Sequence, residues 1–160
     1  ERWPIARDPM SGTSMTPQQL ASARQELEKL PLLGPALWLF ARDPTRRFTF
    51  VADLDWRLLP PLVLDQCKLY SREGIPWAFV TWARVSDAID GRLRSVPVIA
   101  PHEWRPGDEL WLIDIVAPFG DAPGMARQAL HDMGGTDTSA SAWLQGVDGR
   151  SELTEIRRDG

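Results

Sequence analysis

A chain of 160 residues, 43% hydrophobic and 25% charged, is long enough for one domain with a real core. Its net charge of −4 argues against nucleic-acid binding, and its single cysteine, Cys67, excludes an internal disulfide. It shows no signal-peptide pattern and no apolar run of ~18 residues, so a soluble, cytoplasmic protein without a membrane span is expected. The two histidines and the cysteine are scattered without ligand spacing, so no metal site is expected. Eight tryptophans are unusual; they fill core, and several together can line a groove for an apolar ligand.

Residues 1–15 are polar and lack periodicity, and they read as a flexible N-terminal extension ahead of a single domain over 16–160. Thr16-Pro17-Gln18-Gln19 opens a helix, with a capping box and a proline in the first turn. Leu20, Ala23, Leu27 and Leu30 form one apolar stripe, which Pro31 is expected to stop. Leu33 to Arg42 predicts a second short helix, ended by Asp43-Pro44. Thr45-Arg46-Arg47 follows as a basic turn. Arg42, Arg46 and Arg47 are close enough in sequence to make one positive patch, but sequence alone favours a solvated basic turn. Asp53 to Leu59 reads as helical, broken by Pro60-Pro61.

Leu62 to Arg72, the turn Glu73-Gly74 and Ile75 to Val85 predict an antiparallel hairpin. Ser86 to Arg94 reads as a short helix or loop, and Val96 to Ala100 as a brief strand or extended link. Leu110 to Ala117 is an apolar run with one carboxylate, Asp114, and it ends at Pro118. This pattern predicts a strand buried on both faces. A carboxylate there is costly unless it is paired or has a function. Gly120 to Pro123 forms a turn. Met125 to Met133 forms a helix with Ala126, Ala129 and Leu130 inward, ended by Gly134-Gly135. Ala140 to Val147 and Ser151 to Arg157 predict two strands joined by Asp148-Gly149. The order predicts an α/β fold with a mixed sheet. Amides near Gly120 to Gly124, at the start of the last helix, suit a phosphate or a thioester carrier.

Several blocks carry a family resemblance: Leu33-Gly34 with Trp38-Leu39, Leu59-Pro60 with Gln66 and Leu69, Gly74-Ile75-Pro76, Ala78-Phe79 and Thr81-Trp82-Ala83. The longest is Trp104, Gly107-Asp108, Trp111, Ile113-Asp114 and Ala117-Pro118-Phe119-Gly120. With these the chain resembles the RTX-toxin-activating lysine acyltransferases over roughly Leu33 to Arg157. The resemblance implies a Gcn5-related N-acetyltransferase-like fold, with a mixed, mostly antiparallel central sheet flanked by helices. It also implies cytoplasmic transfer of a fatty acyl group from an acyl carrier protein thioester to a lysine side chain, without a permanently bound cofactor. Acyl-CoA is the alternative donor. The acceptor is a protoxin or a smaller ribosomal peptide precursor, and a homodimer is compatible with the family. The family aspartate falls on Asp114. The family's Ser-Pro-x-His-Arg motif falls on Asp43-Pro44-Thr45-Arg46-Arg47, so Arg46 stands in the histidine position. The family's C-terminal helical tail is not expected, because the chain stops at Gly160.

Acyl transfer to an amine needs a proton acceptor, a polarised carbonyl and close positioning. Asp114 is the candidate base. Desolvation between Ile113 and Ile115 is expected to raise its pKa unless an arginine neutralises it; the alternative is a structural aspartate paired with an arginine. Arg46 stays protonated, so it is a candidate for polarising the thioester oxygen or holding the carrier phosphate. Trp77, Phe79, Trp82, Trp111 and Phe119 are candidate walls of an acyl pocket, with Thr81 beside them. Arg42, Arg47 and Gly120 are candidates for carrier binding. Cys67 reads as a packed thiol, and His102 and His131 as surface or packing residues. A non-catalytic carrier- or peptide-binding module on the same fold is the competing function.

Overall fold

The computed structural model describes residues 14–158. The extension expected over 1–15 lies outside the described residues, apart from the exposed Ser14 and Met15. The first helix, α1 (Pro17–Phe40), begins as expected: the Thr16 hydroxyl accepts the Gln19 N–H at 3.2 Å, and Gln19 accepts the Thr16 N–H at 2.8 Å. Pro31 does not stop it. One continuous helix of 24 residues carries Pro31 and Pro35 inside. An interior proline costs about 3 kcal/mol. Its compensation is the burial of Ala36, Leu39 and Phe40 against Leu58, Leu62, Phe79 and Val116, at about 1.5–3 kcal/mol for each large side chain.

A 3₁₀ turn at Arg46–Phe48 and the short helices α2 (Leu54–Arg57) and α3 (Leu59–Val63) follow. Pro60 and Pro61 do not act as the expected break. They occupy the start of α3, where a missing N–H leaves no bond unmade. Next come β1 (Cys67–Arg72), β2 (Ile75–Val85), α4 (Asp87–Leu93), β3 (Glu109–Val116), α5 (Ala122–Asp132), β4 (Ser139–Gln145) and β5 (Ser151–Arg157). Val96 to Ala100 is an extended link rather than a strand. The last helix begins at Ala122, ahead of the expected Met125, because Asp121 caps it by accepting the Gly124 N–H at 2.9 Å.

The five strands lie in sequence order, and every neighbouring pair is antiparallel except β3 with β4. This is the mixed, mostly antiparallel sheet flanked by helices that was expected. α5 connects the parallel pair and covers one face, packing Ala126, Ala129 and Leu130 on Val80, Leu112 and Ile115. α1 and α3 cover the other face through Phe79 and Val116. A third cluster joins Val85, Leu93, Ile99, Trp104 and Trp111. No helix among the described residues is long and apolar enough to cross a membrane.

Two irregularities place the site. Thr81 pairs with Asp114 but Trp82 pairs with Leu112, so Ile113 is an extra residue that bulges β3 beside Asp114. The parallel ladder of β3 and β4 holds only at Trp111–Ser141 and Leu112–Ala142, and beyond those pairs the strands diverge.

Candidate active site

Asp114 is 1% exposed, yet it is surrounded by donors. The bulge takes its amide out of the ladder, and the buried Thr81 hydroxyl accepts that N–H at 3.1 Å. Arg57, at the end of α2, grips the carboxylate with both arms of its fork: Nε to Oδ2 at 2.9 Å and Nη2 to Oδ1 at 2.8 Å. Its remaining Nη1 donates to Thr49 Oγ1 at 3.3 Å. The Arg57 guanidinium lies 5.4 Å from the Phe40 ring centroid and 5.6 Å from that of Trp56.

Arg46 reaches the same carboxylate from the 3₁₀ turn, with Nε donating to Oδ1 at 3.0 Å. Asp43 makes that turn. Its Oδ1 accepts the Thr45 N–H at 2.9 Å, the Thr45 hydroxyl at 2.7 Å and the Arg46 N–H at 3.1 Å. Arg46 Nη1 donates to Thr45 Oγ1 at 3.0 Å. Among the described residues its Nη2 has no hydrogen-bond partner. The site thus balances two guanidinium groups against two carboxylates, Asp43 and Asp114.

The raised pKa expected of Asp114 is not found. Burial pushes the group toward its neutral form, but the hydrogen bonds and positive charge of Arg57 and then Arg46 outweigh it and hold the carboxyl below its ordinary value. Arg57 is correspondingly raised despite its own burial. In this arrangement Asp114 is a buried anion held by two guanidinium groups.

The strand divergence leaves two adjoining cavities that share Arg46, Trp143 and Gln145. One, of about 210 Å³, is completed by Thr45, Arg57, Pro97, Ile113, Asp114 and Ser151. The other, of about 160 Å³, runs past Ile115 to Ala117, Pro118, Ala122 and Pro123 at the start of α5. Trp143 is held by its Nε1, which donates to the Leu93 carbonyl at 2.8 Å.

The remaining predicted residues divide. Trp77 and Phe119 come together, with ring centroids 5.3 Å apart, and Phe119 also meets Trp38 at 5.9 Å. They line an open apolar cavity of about 710 Å³ with Arg72, Glu73 and Ile75. Arg42 lies 3.6 Å over the Trp38 ring and Arg72 4.2 Å over Trp77. Phe79 is buried under α1, Trp82 packs on the α5 side, and Trp111 sits in the third cluster with its Nε1 donating to Asp90 at 2.8 Å. The five aromatics therefore do not form one wall. Nor do Arg42, Arg46 and Arg47 form one patch, since Arg46 turns in to Asp114 and Arg47 lies 5.5 Å from the Phe48 ring. Gly120 stands between Phe119 and the Asp121 cap. Cys67 is a half-buried free thiol, pushed up to about 11 first by burial and then by Asp65. His102 and His131 are exposed. No group of three or more metal-ligating side chains occurs among the described residues.

Sequence reasoning missed Arg57, Trp143, Gln145 and Ser151. Arg57 alone carried a signal: it is a lone cation in the otherwise largely apolar stretch Leu54 to Leu64.

Residues 25–143 match the family model described as the RTX toxin acyltransferase family. An RTX-II toxin-activating lysine-acyltransferase of Actinobacillus pleuropneumoniae is 33% identical over 92 residues, 57% of this chain and 58% of the relative. A leukotoxin-activating lysine-acyltransferase of Aggregatibacter actinomycetemcomitans is 36% identical over 90 residues, covering 56% and 54%. A protein-lysine myristoyltransferase of Escherichia coli is 34% identical over 93 residues, covering 58% and 55%. The matched stretch thus spans less than two thirds of each of these relatives.

Proposed function

This chain belongs to the RTX toxin acyltransferase family, and on that premise we propose that it is a lysine N-acyltransferase. A fatty acyl group moves from a thioester to a lysine-type side-chain amine of a protein or peptide. The observation that carries this reading is the pair of guanidinium groups, Arg46 and Arg57, held on one buried carboxylate at the wall of a cavity between diverging strands.

The donor is an acyl carrier protein or CoA thioester in the cytoplasm, and it enters past Phe119 and Pro118. Trp77 and Phe119 offer apolar surface there, and Arg42 and Arg72 offer positive charge to an anionic carrier. Gly120, at a φ of 120°, turns the backbone beside them. Asp121 already fills the helix N-terminus with a carboxylate, so the phosphate contact falls to the arginines. Arg47 has no part in this donor set.

The neutral amine attacks the carbonyl carbon, the C–N bond forms, the C–S bond breaks, and the proton lost by the attacking nitrogen passes to the leaving thiolate. Arg46 Nη2 polarises the carbonyl oxygen as negative charge develops on it. One such donor is worth about 10²–10³ in rate. Asp114 keeps Arg46 in place without having to be reoriented during reaction. A second reading makes Asp114 the base that accepts the ammonium proton. It is favoured by one observation: Asp114 is the carboxylate among the residues lining the 210 Å³ cavity. That role requires Arg46 to turn toward the substrate and release the carboxylate.

The test is intact mass after incubation with acyl carrier protein thioesters, acyl-CoAs and lysine-bearing acceptors. An acyl-sized gain on the acceptor, abolished by Arg46→Ala, supports transfer. Binding of donor and acceptor without any gain makes the protein a non-catalytic binding module. An acid limb in kcat that is present in the parent and lost in Asp114→Asn assigns the base to Asp114. The same limb in both leaves it as the anchor.

A further inference from the structure

Trp143 stands where the sheet opens. The parallel ladder of β3 and β4 ends at Leu112–Ala142, so Trp143 is the first β4 residue beyond it. On its other edge the strand stays paired with β5, through Trp143–Leu153, Leu144–Glu152 and Gln145–Ser151. The backbone is thus fixed on one side and open on the side that faces the cleft. The indole is pinned as well: Nε1 donates to the Leu93 carbonyl at 2.8 Å, and the ring packs on the third cluster.

The two cavities of the cleft share Arg46, Trp143 and Gln145. Arg46 is tied to Asp114 and Gln145 is a polar chain, so the indole is the large apolar group at their junction. With the thioester carbonyl at Arg46, the donor arm lies in the 160 Å³ cavity, which runs toward Pro118 and Pro123. The acyl chain then continues past the indole into the 210 Å³ cavity. That space is not an apolar tunnel. Trp143, Ile113 and Pro97 are its apolar walls, while Thr45, Arg57, Asp114 and Ser151 are polar or charged. A chain extended over them strips water from polar groups and returns no hydrogen bond. Volume sets the same limit. A methylene takes about the ~30 Å³ of a water molecule, so 210 Å³ holds roughly seven of them. A myristoyl chain, which the name of the Escherichia coli relative specifies, needs about 400 Å³ on the same scale.

We infer that Trp143 sets the length of the transferred acyl group and restricts it to straight chains of octanoyl size or shorter. The inference rests on the transferase reading for the placement of the thioester, and its test is a binding measurement that needs no turnover. Removing the indole joins the two cavities and opens the space in front of Leu93, so longer chains are then admitted.

The probe is a series of 4′-phosphopantetheine thioethers in which a methylene between sulfur and a ketone replaces the thioester. Their chains match butanoyl, hexanoyl, octanoyl, dodecanoyl and hexadecanoyl groups. Affinity for the full chain is read by calorimetry, on variants whose circular dichroism matches the parent. In the parent, affinity is expected to peak at octanoyl or below and to fall about tenfold or more at dodecanoyl. W143A and W143L are expected to move the peak to dodecanoyl or beyond, while W143F, which keeps a ring, keeps the parent's peak. S151L acts from the opposite wall, at an exposed strand end where the fold tolerates a larger side chain, and is expected to move the peak to a shorter chain. A parent that binds hexadecanoyl most tightly overturns the inference. So does a peak that stays in place in both W143L and S151L, or absence of binding by every member of the series. If the length profile and its shift hold but no matching thioester yields an acylated lysine, the transferase reading fails while the chain-length site stands. If acylated lysine forms equally well at every length, the reading stands and this inference fails.

Discussion

Arg57 holds both oxygens of Asp114, 2.9 and 2.8 Å away, from a helix 57 residues earlier in the chain. This pair ties α2 to the middle strand of the sheet, and Arg46 completes it from a third element. The same contacts that satisfy a buried charge also aim two cations at the space between β3 and β4.

Arg57→Ala leaves Asp114 with Arg46 alone. Removing one partner of a buried pair costs about 3–5 kcal/mol, so urea unfolding is expected to show a loss in that range. Arg46→Ala keeps the two-pronged Arg57 contact and is expected to cost about 1–3 kcal/mol while abolishing acyl transfer. Equal destabilisation by the two variants would remove the distinction between anchor and working group.

Acid stability carries the same signature. Asp114 is held below its ordinary value of about 3.9. A depressed folded-state value means that its contribution is fully present above the unfolded pKa and is lost as pH falls through the folded one. Stability from this group is therefore expected to be level from pH 7 to 5 and to decline below about pH 4. Glu103, lowered to about 2 chiefly by its hydrogen bond from Arg92, contributes in the same window. It is present in parent and variant alike, so their difference isolates Asp114. Unfolding midpoints of the parent and Asp114→Asn are expected to converge as pH falls, and a constant gap would refute this account.

The proposed donor surface at Trp77 and Phe119 allows binding to be separated from chemistry. Phe119 is 43% exposed, so Phe119→Ala is expected to leave the melting temperature within a few degrees. With one stacking partner of Trp77 gone, KM for the acyl thioester is expected to rise about 3–10-fold with kcat little changed. Steady-state kinetics on two acyl lengths checks this, and a fall in kcat alone would place Phe119 at the reacting centre.

Cys67 is expected to be inert. With its thiol pushed up to about 11 by burial, on the order of one molecule in a thousand carries thiolate at pH 8. Iodoacetamide labelling of the native protein is therefore expected to be far slower than labelling in urea, and Cys67→Ala is expected to keep full transfer. Rapid native labelling or a lost acyl product would reopen a covalent route.

Much of the fold was legible in the chain itself. The capping box at Thr16, the apolar run around Asp114 and the Asp148-Gly149 turn act within a few residues, where local rules suffice. The family blocks around Trp111 and Pro118 pointed to the same sheet. Proline misled at Pro31 and Pro60, because its local cost was outweighed by burial in one case and avoided by a first-turn position in the other. The aromatic residues misled as well. Alternation along β2 and the bulge at Ile113 send Phe79, Trp82 and Trp111 to different clusters, and only packing decides which side of a sheet a ring occupies.

Sequence alone determined that a carboxylate would sit in a buried central strand, because nothing else interrupts that apolar run. Its electrostatic state was decided by tertiary structure. Arg46 and Arg57 reach it from 68 and 57 residues away, and a pKa depends on what lies within a few ångströms in space rather than on what lies next along the chain.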